Sequence, residues 1–364
     1  AVTLRNSGSW TFGSPSVLMM YYRAPGELGK ELAEMYECMP HYYKITNGHG
    51  RGAELLMDAE AAYLQGAWEK AAVLLERARA DAAGQENMTL CCDFLALRLA
   101  LCGKGKEEYD FAAKRAALLQ KHDGVQVHLL ESIVAYFYAL QGRPEQAPEL
   151  FREHKLAEVS FFGPCRPMMS LIEQQVWLAQ GEYVKVIAHS EGLLRRCEAM
   201  HYGLVGLQAR IQLAAAQLRF GQRAEARAAL AAALLDAVQD DFWVLFVEQY
   251  PALAPLLEGE DWAVCEPRLG PFVARILPAG RAFAVRLGLP APAPELPLTD
   301  RDRELARLVA GRCTNKEIAA ALYLSEGTVK QYINQLYAKL DMGGDPRTRR
   351  ARLAEWYQKN APRN

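Results

Sequence analysis

Three polar residues near the C-terminus, Lys330, Gln331 and Asn334, fall on one face of a predicted helix, at positions i, i+1 and i+4. An ammonium group can donate to guanine O6 and N7, and a side-chain amide can pair with the edge of adenine. The N-terminal half of a recognition helix is the part that reaches base edges in the major groove. This pattern therefore predicts that the three residues read bases in double-stranded DNA.

A second group of residues lies near predicted helix starts, where backbone N–H groups and short polar side chains hold phosphate oxygens. The group consists of Asn315, Lys316, Ser325 and Thr328. We expect these residues to position the DNA backbone. For each of the seven residues in the two groups, the alternative is an exposed side chain on a helix surface with no ligand.

Four helices would position these side chains, and each has its own start signal. The start residues are Thr299, Thr314, Ser325 and Asp345, the last followed by Pro346. Thr314 and Glu317 form a capping-box pattern, and Gly311 ends the first helix. The predicted inward residues are Leu305, Leu308, Val309, Ile318, Ala319, Leu322, Val329, Ile333, Leu336 and Leu340.

This segment, residues 298–364, resembles the LuxR-type (GerE) helix-turn-helix family. The matching elements are Leu298-Thr299, Arg301, Glu304, Asn315-Lys316-Glu317-Ile318-Ala319, Leu322, Ser325, Thr328-Val329-Lys330, Tyr337, Lys339 and Leu340. The resemblance implies DNA binding as a homodimer or higher oligomer, with the fourth helix as the usual dimer contact. The chain departs from the family pattern at Tyr332, where His is common, at Asp302, where Glu is usual, and at the pair Gly343-Gly344.

The remainder of the chain differs in charge and in pattern. From residue 298 onward there are 13 Lys and Arg against 8 Asp and Glu, whereas the preceding residues have 29 against 35. A basic C-terminal segment after an acidic body suits one part that meets nucleic acid and one that does not. Residues 289–297 are rich in Pro and predict a stiff linker. Residues 1–25 lack periodicity and predict an irregular lead-in.

Residues 26–288 predict an all-α repeat domain. Five glycines, Gly66, Gly103, Gly142, Gly181 and Gly221, recur every 37 to 40 residues. Each would end a helix in the left-handed conformation, and a small residue follows five positions after four of them: Ala71, Ala147, Val186 and Ala226. The pattern resembles tetratricopeptide repeats, which implies a solenoid. The alternative is a generic helical domain. Residues 242–288 predict short helices that cap the solenoid.

The combined organisation resembles the C-terminal part of the large MalT-like regulators. That resemblance implies an upstream nucleotide-binding module, which would bind ATP outside this chain. It also leads us to expect that the chain is part of a longer protein. We expect a sequence-specific transcription regulator in the cytoplasm, with RNA polymerase and a protein or small-molecule inducer as further partners. One alternative is a scaffold whose solenoid binds a protein or peptide. Another is a small-molecule sensor near Trp177, Tyr183 or Tyr138.

Catalysis, metal binding and membrane insertion are not predicted. The Gly-rich stretch 48–52 lacks the order of a phosphate-binding loop, and the eight Cys and seven His lack metal-ligand spacing. No nucleophile is paired with a base. No apolar run approaches the roughly 18 residues that a membrane span needs. We therefore expect no cofactor and no metal in this chain, no enzymatic activity, and no membrane partner.

Overall fold

The computed structural model describes residues 13–104, 109–121, 124–159, 161, 163–289, 300–340, 342 and 344–360, with residues 300, 303, 346, 347 and 358–360 described by their backbone only. Within these residues the fold is all-α, as predicted, and no β-strand occurs. The predicted linker lies outside the described residues apart from Leu289, as do the first 12 residues of the predicted lead-in. No described helix is both long and apolar enough to cross a lipid bilayer.

Fifteen described helices precede residue 290 and four follow it. The first set is α1 (Leu18–Tyr21), α2 (Leu28–Ile45), α3 (Ala53–Leu64), α4 (Trp68–Asp81), α5 (Glu86–Leu101), α6 (Phe111–Gln120), α7 (Gly124–Leu140), α8 (Glu149–Arg152), α9 (Arg166–Gln180), α10 (Tyr183–Met200), α11 (Gly203–Phe220), α12 (Arg223–Ala237), α13 (Val244–Glu248), α14 (Tyr250–Leu257) and α15 (Leu269–Arg286). The second set is α16 (Asp300–Ala310), α17 (Asn315–Ala321), α18 (Glu326–Lys339) and α19 (Pro346–Asn360). Short 3-10 turns lie at Pro144–Gln146, Lys155–Glu158, Gly163–Cys165 and Trp262–Val264.

Helices α3 to α12 form five consecutive pairs, and the five repeated glycines lie in the turns of these pairs. All five glycines have φ between 68° and 90°. In every turn the N–H of the residue after the glycine donates to the carbonyl five residues earlier, over 2.8–2.9 Å. This pattern is the Schellman motif, which requires the left-handed conformation that glycine adopts without strain. The predicted role of these glycines as helix ends is confirmed.

The first helices of successive pairs pack against one another in chain order. The small residues five positions after the glycines are buried. Ala147, however, does not lie in a second helix of ordinary length, because Pro144 and Pro148 interrupt that segment and leave only the four residues of α8 helical. The third pair is therefore the least regular of the five.

Residues 13–22 and 242–257 join distant parts of the array. Within the segment expected to be irregular, α1 is helical and buried, and the Glu60 carboxylate accepts from the Leu18 N–H over 2.7 Å. The Gly203 N–H donates to the Tyr22 carbonyl. Segment 17–22 therefore bridges the first and fifth helix pairs. The segment after residue 242 contains short helices, as predicted, but also the 18-residue α15.

A buried ion pair stands at the centre of the array. Glu248 accepts from Arg98 Nε over 2.8 Å and from Arg98 Nη2 over 3.1 Å, and their side chains are 1% and 3% exposed. The hydroxyl groups of Tyr63 and Tyr136 donate to the same carboxylate over 2.6 and 3.2 Å. Because these residues belong to the first three helix pairs and α13, the carboxylate ties four elements together.

The C-terminal part of the described chain passes along the row of glycine turns. A Cβ atom added to four of the five glycines would overlap or closely contact a later side chain. The glycine and side-chain pairs are Gly66 with Trp243, Gly103 with Arg286, Gly142 with Leu289 and Gly221 with Lys339. Close approach adds to the need for glycine at Gly66, where the Trp243 ring is in the way, whereas the flexible ends of Arg286 and Leu289 can shift and leave the φ angle as the main reason at Gly103 and Gly142.

Candidate nucleic-acid interface

Helices α16 to α19 share a separate hydrophobic core. Eight of the ten predicted inward residues are buried in it, and Leu322 and Leu340 are partly buried at its edge. Leu353 of α19 joins the same core at 0% exposure, and α19 packs along α16. The fourth helix is therefore an integral part of this small domain.

The predicted capping box at the start of α17 is present. The Glu317 N–H donates to Thr314 Oγ1 over 3.3 Å, and the Thr314 N–H donates back to Glu317 Oε2 over 2.6 Å. The Thr314 N–H and the Thr314 hydroxyl both donate to the Glu317 carboxylate and lower its pKa, because the ionised carboxylate is the better acceptor. The cap therefore fixes where α17 begins.

Two turns of the domain are built on non-glycine residues in the left-handed conformation. The first helix ends before Gly311, as predicted; Arg312 then has φ 61°, and Tyr323 has φ 55° between α17 and α18. In the first turn the Cys313 N–H donates to the Leu308 carbonyl over 3.1 Å. In the second the Leu324 N–H donates to the Ala319 carbonyl over 2.9 Å. Tyr323 is 95% exposed. The sequence pattern did not single out this residue, although an aromatic residue two positions before the helix cap Ser325 was a visible signal.

The predicted base-reading residues share an exposed surface of α18. Lys330, Gln331 and Asn334 are all exposed, and none of their side chains forms a hydrogen bond or ion pair with a described residue. Core residues Val329 and Ile333 occupy the opposite side of the same helix. The donors and acceptors of this face are therefore free to meet a ligand, and no rearrangement of the core is needed.

Of the four residues predicted to hold phosphates, Asn315 has a side-chain partner in another helix, and within the described residues Lys316, Ser325 and Thr328 do not. Ser325 caps α18 by accepting from the Thr328 N–H over 3.1 Å, and the hydroxyl groups of these two residues lie 2.8 Å apart. Lys316 is exposed at the second position of α17. Asn315 has an internal partner, because its Oδ1 accepts from Arg350 Nη1 over 3.1 Å. Asn315 thereby connects α17 with α19 as well as lying at a helix start.

A third side of α18 faces the helix pairs of the body. The Tyr332 ring packs edge-on against Phe220, with 6.1 Å between centroids and 82° between planes. Lys339 Nζ lies 2.6 Å from Asp302 Oδ2, and the two side chains are only 4% and 13% exposed. Tyr332 and Asp302 are two of the three departures from the family pattern, and both lie at this contact. Gly343 of the third departure lies outside the described residues.

Residues 296–348 match the family model described as bacterial regulatory proteins, luxR family. The chain therefore carries a luxR-family helix-turn-helix domain at its C-terminal end. This match covers a minor part of the chain. No solved structure matched the chain.

Three curated relatives are each similar to a short part of the chain. An uncharacterized transcriptional regulatory protein, YvfU of Bacillus subtilis, is 41% identical over 75 residues, which are 21% of this chain and 36% of the relative. The DNA-binding transcriptional activator DevR/DosR of Mycobacterium tuberculosis is 42% identical over 65 residues, 18% of this chain and 29% of the relative. The transcriptional regulatory protein DesR of Bacillus subtilis is 46% identical over 46 residues, which are 13% of this chain and 23% of the relative. The matched part spans about a third or less of each relative.

Proposed function

We propose that this chain, which carries a luxR-family domain, is a sequence-specific DNA-binding transcription regulator. The observation that carries the proposal is the exposed face of α18, on which Lys330, Gln331 and Asn334 are free of internal partners. This face belongs to a domain whose relatives include a DNA-binding transcriptional activator.

In this proposal α18 enters the major groove. The groove of B-DNA is about 12 Å wide and accepts one α-helix. Lys330 donates to a guanine or to a phosphate, and Gln331 and Asn334 pair with adenine edges. Lys316, Ser325 and the other helix-start residues position the backbone without reading sequence.

A single domain of this size offers few base contacts, so we propose that two copies bind together. Half-sites about 34–36 Å apart would place both recognition helices on one side of the duplex. Homodimerisation through α19, through the body or on the DNA itself would satisfy this geometry. RNA polymerase is a further proposed partner, because a regulator of transcription acts on the transcribing enzyme.

We propose the helix pairs of residues 26–288 as the sensor or interaction domain. The support is the Schellman turn that recurs at each repeated glycine and the packing of successive pairs in chain order. These features fit a tetratricopeptide-like array. An upstream ATP-binding module, as in MalT-like regulators, is proposed on the resemblance alone.

The test is selection of genomic fragments by the purified chain, followed by sequencing and by fluorescence anisotropy on the enriched site. We expect one repeated motif to be enriched. Lys330→Glu should weaken binding to that site by about 10- to 100-fold, since a favourable contact becomes a repulsive one. If Lys330 touches a phosphate, Lys330→Ala should flatten the slope of log K against log salt by about 0.9.

The matched control is Lys44→Glu, which makes the same charge change at an exposed lysine of α2. Its affinity for the enriched site should stay at the wild-type value. Equal losses in the two variants would show that only the overall charge matters, and the absence of any enriched motif would contradict the proposed function.

A further inference from the structure

A cavity of about 350 Å³ lies between the luxR-family domain and the helix pairs of the body, beside the contact of Tyr332 with Phe220. Both sides contribute to its wall. The lining residues used below are Glu182, Tyr183 and Lys185 from the turn and start of α10, Phe220 from the end of α11, and Arg301, Asp302, Tyr332 and Lys339 from the luxR-family domain. Cavities of roughly 300–1,000 Å³ are the usual size of small-molecule sites.

The walls of this cavity are mainly aromatic and aliphatic. The rings of Tyr183, Phe220 and Tyr332 line it from two domains, and the aliphatic side chains of Val184, Leu305 and Leu322 also line it. Burial raises the pKa of Tyr183, so its phenol stays neutral. Aromatic walls favour offset or edge-on packing of a planar ring, which contributes beyond simple burial of area.

The charges of the cavity leave one cation without an anionic partner. Asp302 is bonded to Lys339 over 2.6 Å, and Glu182 lies 3.6 Å from Lys185 Nζ. Arg301 lies over the Tyr332 ring, with its guanidinium carbon 5.2 Å from the centroid, and forms no ion pair with a described residue. A guanidinium group in this position can bind a carboxylate through two parallel hydrogen bonds.

We propose that this cavity is a binding site for a planar aromatic carboxylate of one or two fused rings. The ring lies among Tyr183, Phe220 and Tyr332, and the carboxylate pairs with Arg301. A neutral polar ligand would leave Arg301 unmatched, and a second carboxylate would meet Asp302 and Glu182. The proposal rests on contacts within this chain and does not depend on the proposed DNA binding.

The test is isothermal titration of the full chain, in the absence of DNA, with benzoate and 2-naphthoate. We expect saturable binding of at least one of these probes at concentrations below about 1 mM. The corresponding amide, 2-naphthamide, keeps the ring and removes the charge. It should bind about 10- to 100-fold more weakly, since a hydrogen bond to a charged group is lost.

Two variants locate the site. Arg301→Gln should weaken binding of the carboxylate by about as much as the change to the amide, because both changes remove the same ion pair. Arg307→Gln is the control, since Arg307 lies on the same helix and is paired with Glu304 instead. Its affinity should match the wild-type chain, and circular dichroism should show equal helix content in all three proteins.

The proposal is overturned if neither acid binds saturably, if the amide binds as tightly as the acid, or if Arg301→Gln leaves affinity unchanged. Because no DNA is present, each of these results leaves the proposed DNA-binding function untouched. Conversely, failure to select a DNA motif would leave the cavity test valid.

Discussion

Replacing Glu248 with Ala should destabilise the protein strongly, because it removes the only described carboxylate partner of Arg98 in the centre of the array. The substitution also removes the acceptor for the hydroxyl groups of Tyr63 and Tyr136. The Arg98 guanidinium is 3% exposed and cannot regain a hydration shell without local unfolding. Nearby Glu248 raises the Arg98 pKa, although burial alone would lower it, so the cation stays charged.

The expected magnitude follows from the burial of the pair. Breaking a buried ion pair by removing one partner costs about 3–5 kcal/mol. The unfolding entropy is about 2.1 cal/mol/K per residue. For a body of about 280 residues, the total unfolding entropy is therefore about 0.6 kcal/mol/K. The loss therefore corresponds to a fall in melting temperature of about 5–8 °C. Circular dichroism at the helix band during heating, with differential scanning calorimetry, measures it.

Glu260 provides the matched control. It accepts from Arg223 and Arg227 at the surface, where all three side chains are partly exposed, and Glu260→Ala should cost about 1 kcal/mol or less. The double variant Arg98→Met, Glu248→Leu should recover more than half of the loss, because it leaves no buried charge unpaired. If Glu248→Ala lowers the melting temperature no more than Glu260→Ala does, the buried pair does not hold the array together.

Two further predictions concern the body. Burial raises the pKa of Glu60 to about 7, so from about pH 4.5 to 7 the folded chain binds more protons than the unfolded chain, and stability should fall as pH rises through this window. Glu60→Gln should flatten this fall, which urea midpoints at about pH 5 and pH 8 would reveal; an unchanged slope would refute the assignment. Gly142→Ala should cost about 1–2 kcal/mol because φ is 68° and Leu289 is close, whereas Gly29→Ala, in open space on α2, should cost nothing; equal urea midpoints would contradict this reasoning.

The local features of the fold could be predicted from sequence, because neighbouring residues determine them. Helix caps such as Thr314 with Glu317, the five glycine turns and the core positions of α16 to α18 all follow from spacing and residue type. The exposed face of α18 was predicted for the same reason, since helical periodicity separates it from the core.

Contacts between distant parts of the chain could not be predicted. Arg98 and Glu248 are 150 residues apart, and neither residue lies in a motif. The packing of Tyr332 on Phe220 depends on how two domains meet, which no local pattern specifies. The bond from Arg350 to Asn315 likewise gives a predicted phosphate ligand a structural partner that becomes visible only when α19 is in place.

The long-range contacts of the array have a consequence for synthesis on the ribosome. The side chain of Arg98 meets its carboxylate only after Glu248 emerges, and Trp243 reaches the first glycine turn equally late. At about 5–20 residues per second, Arg98 waits about 8–30 s for its partner. During that interval the apolar interior of the first helix pairs stays uncovered, so nascent chains should need chaperone protection, and fragments ending before residue 242 should aggregate.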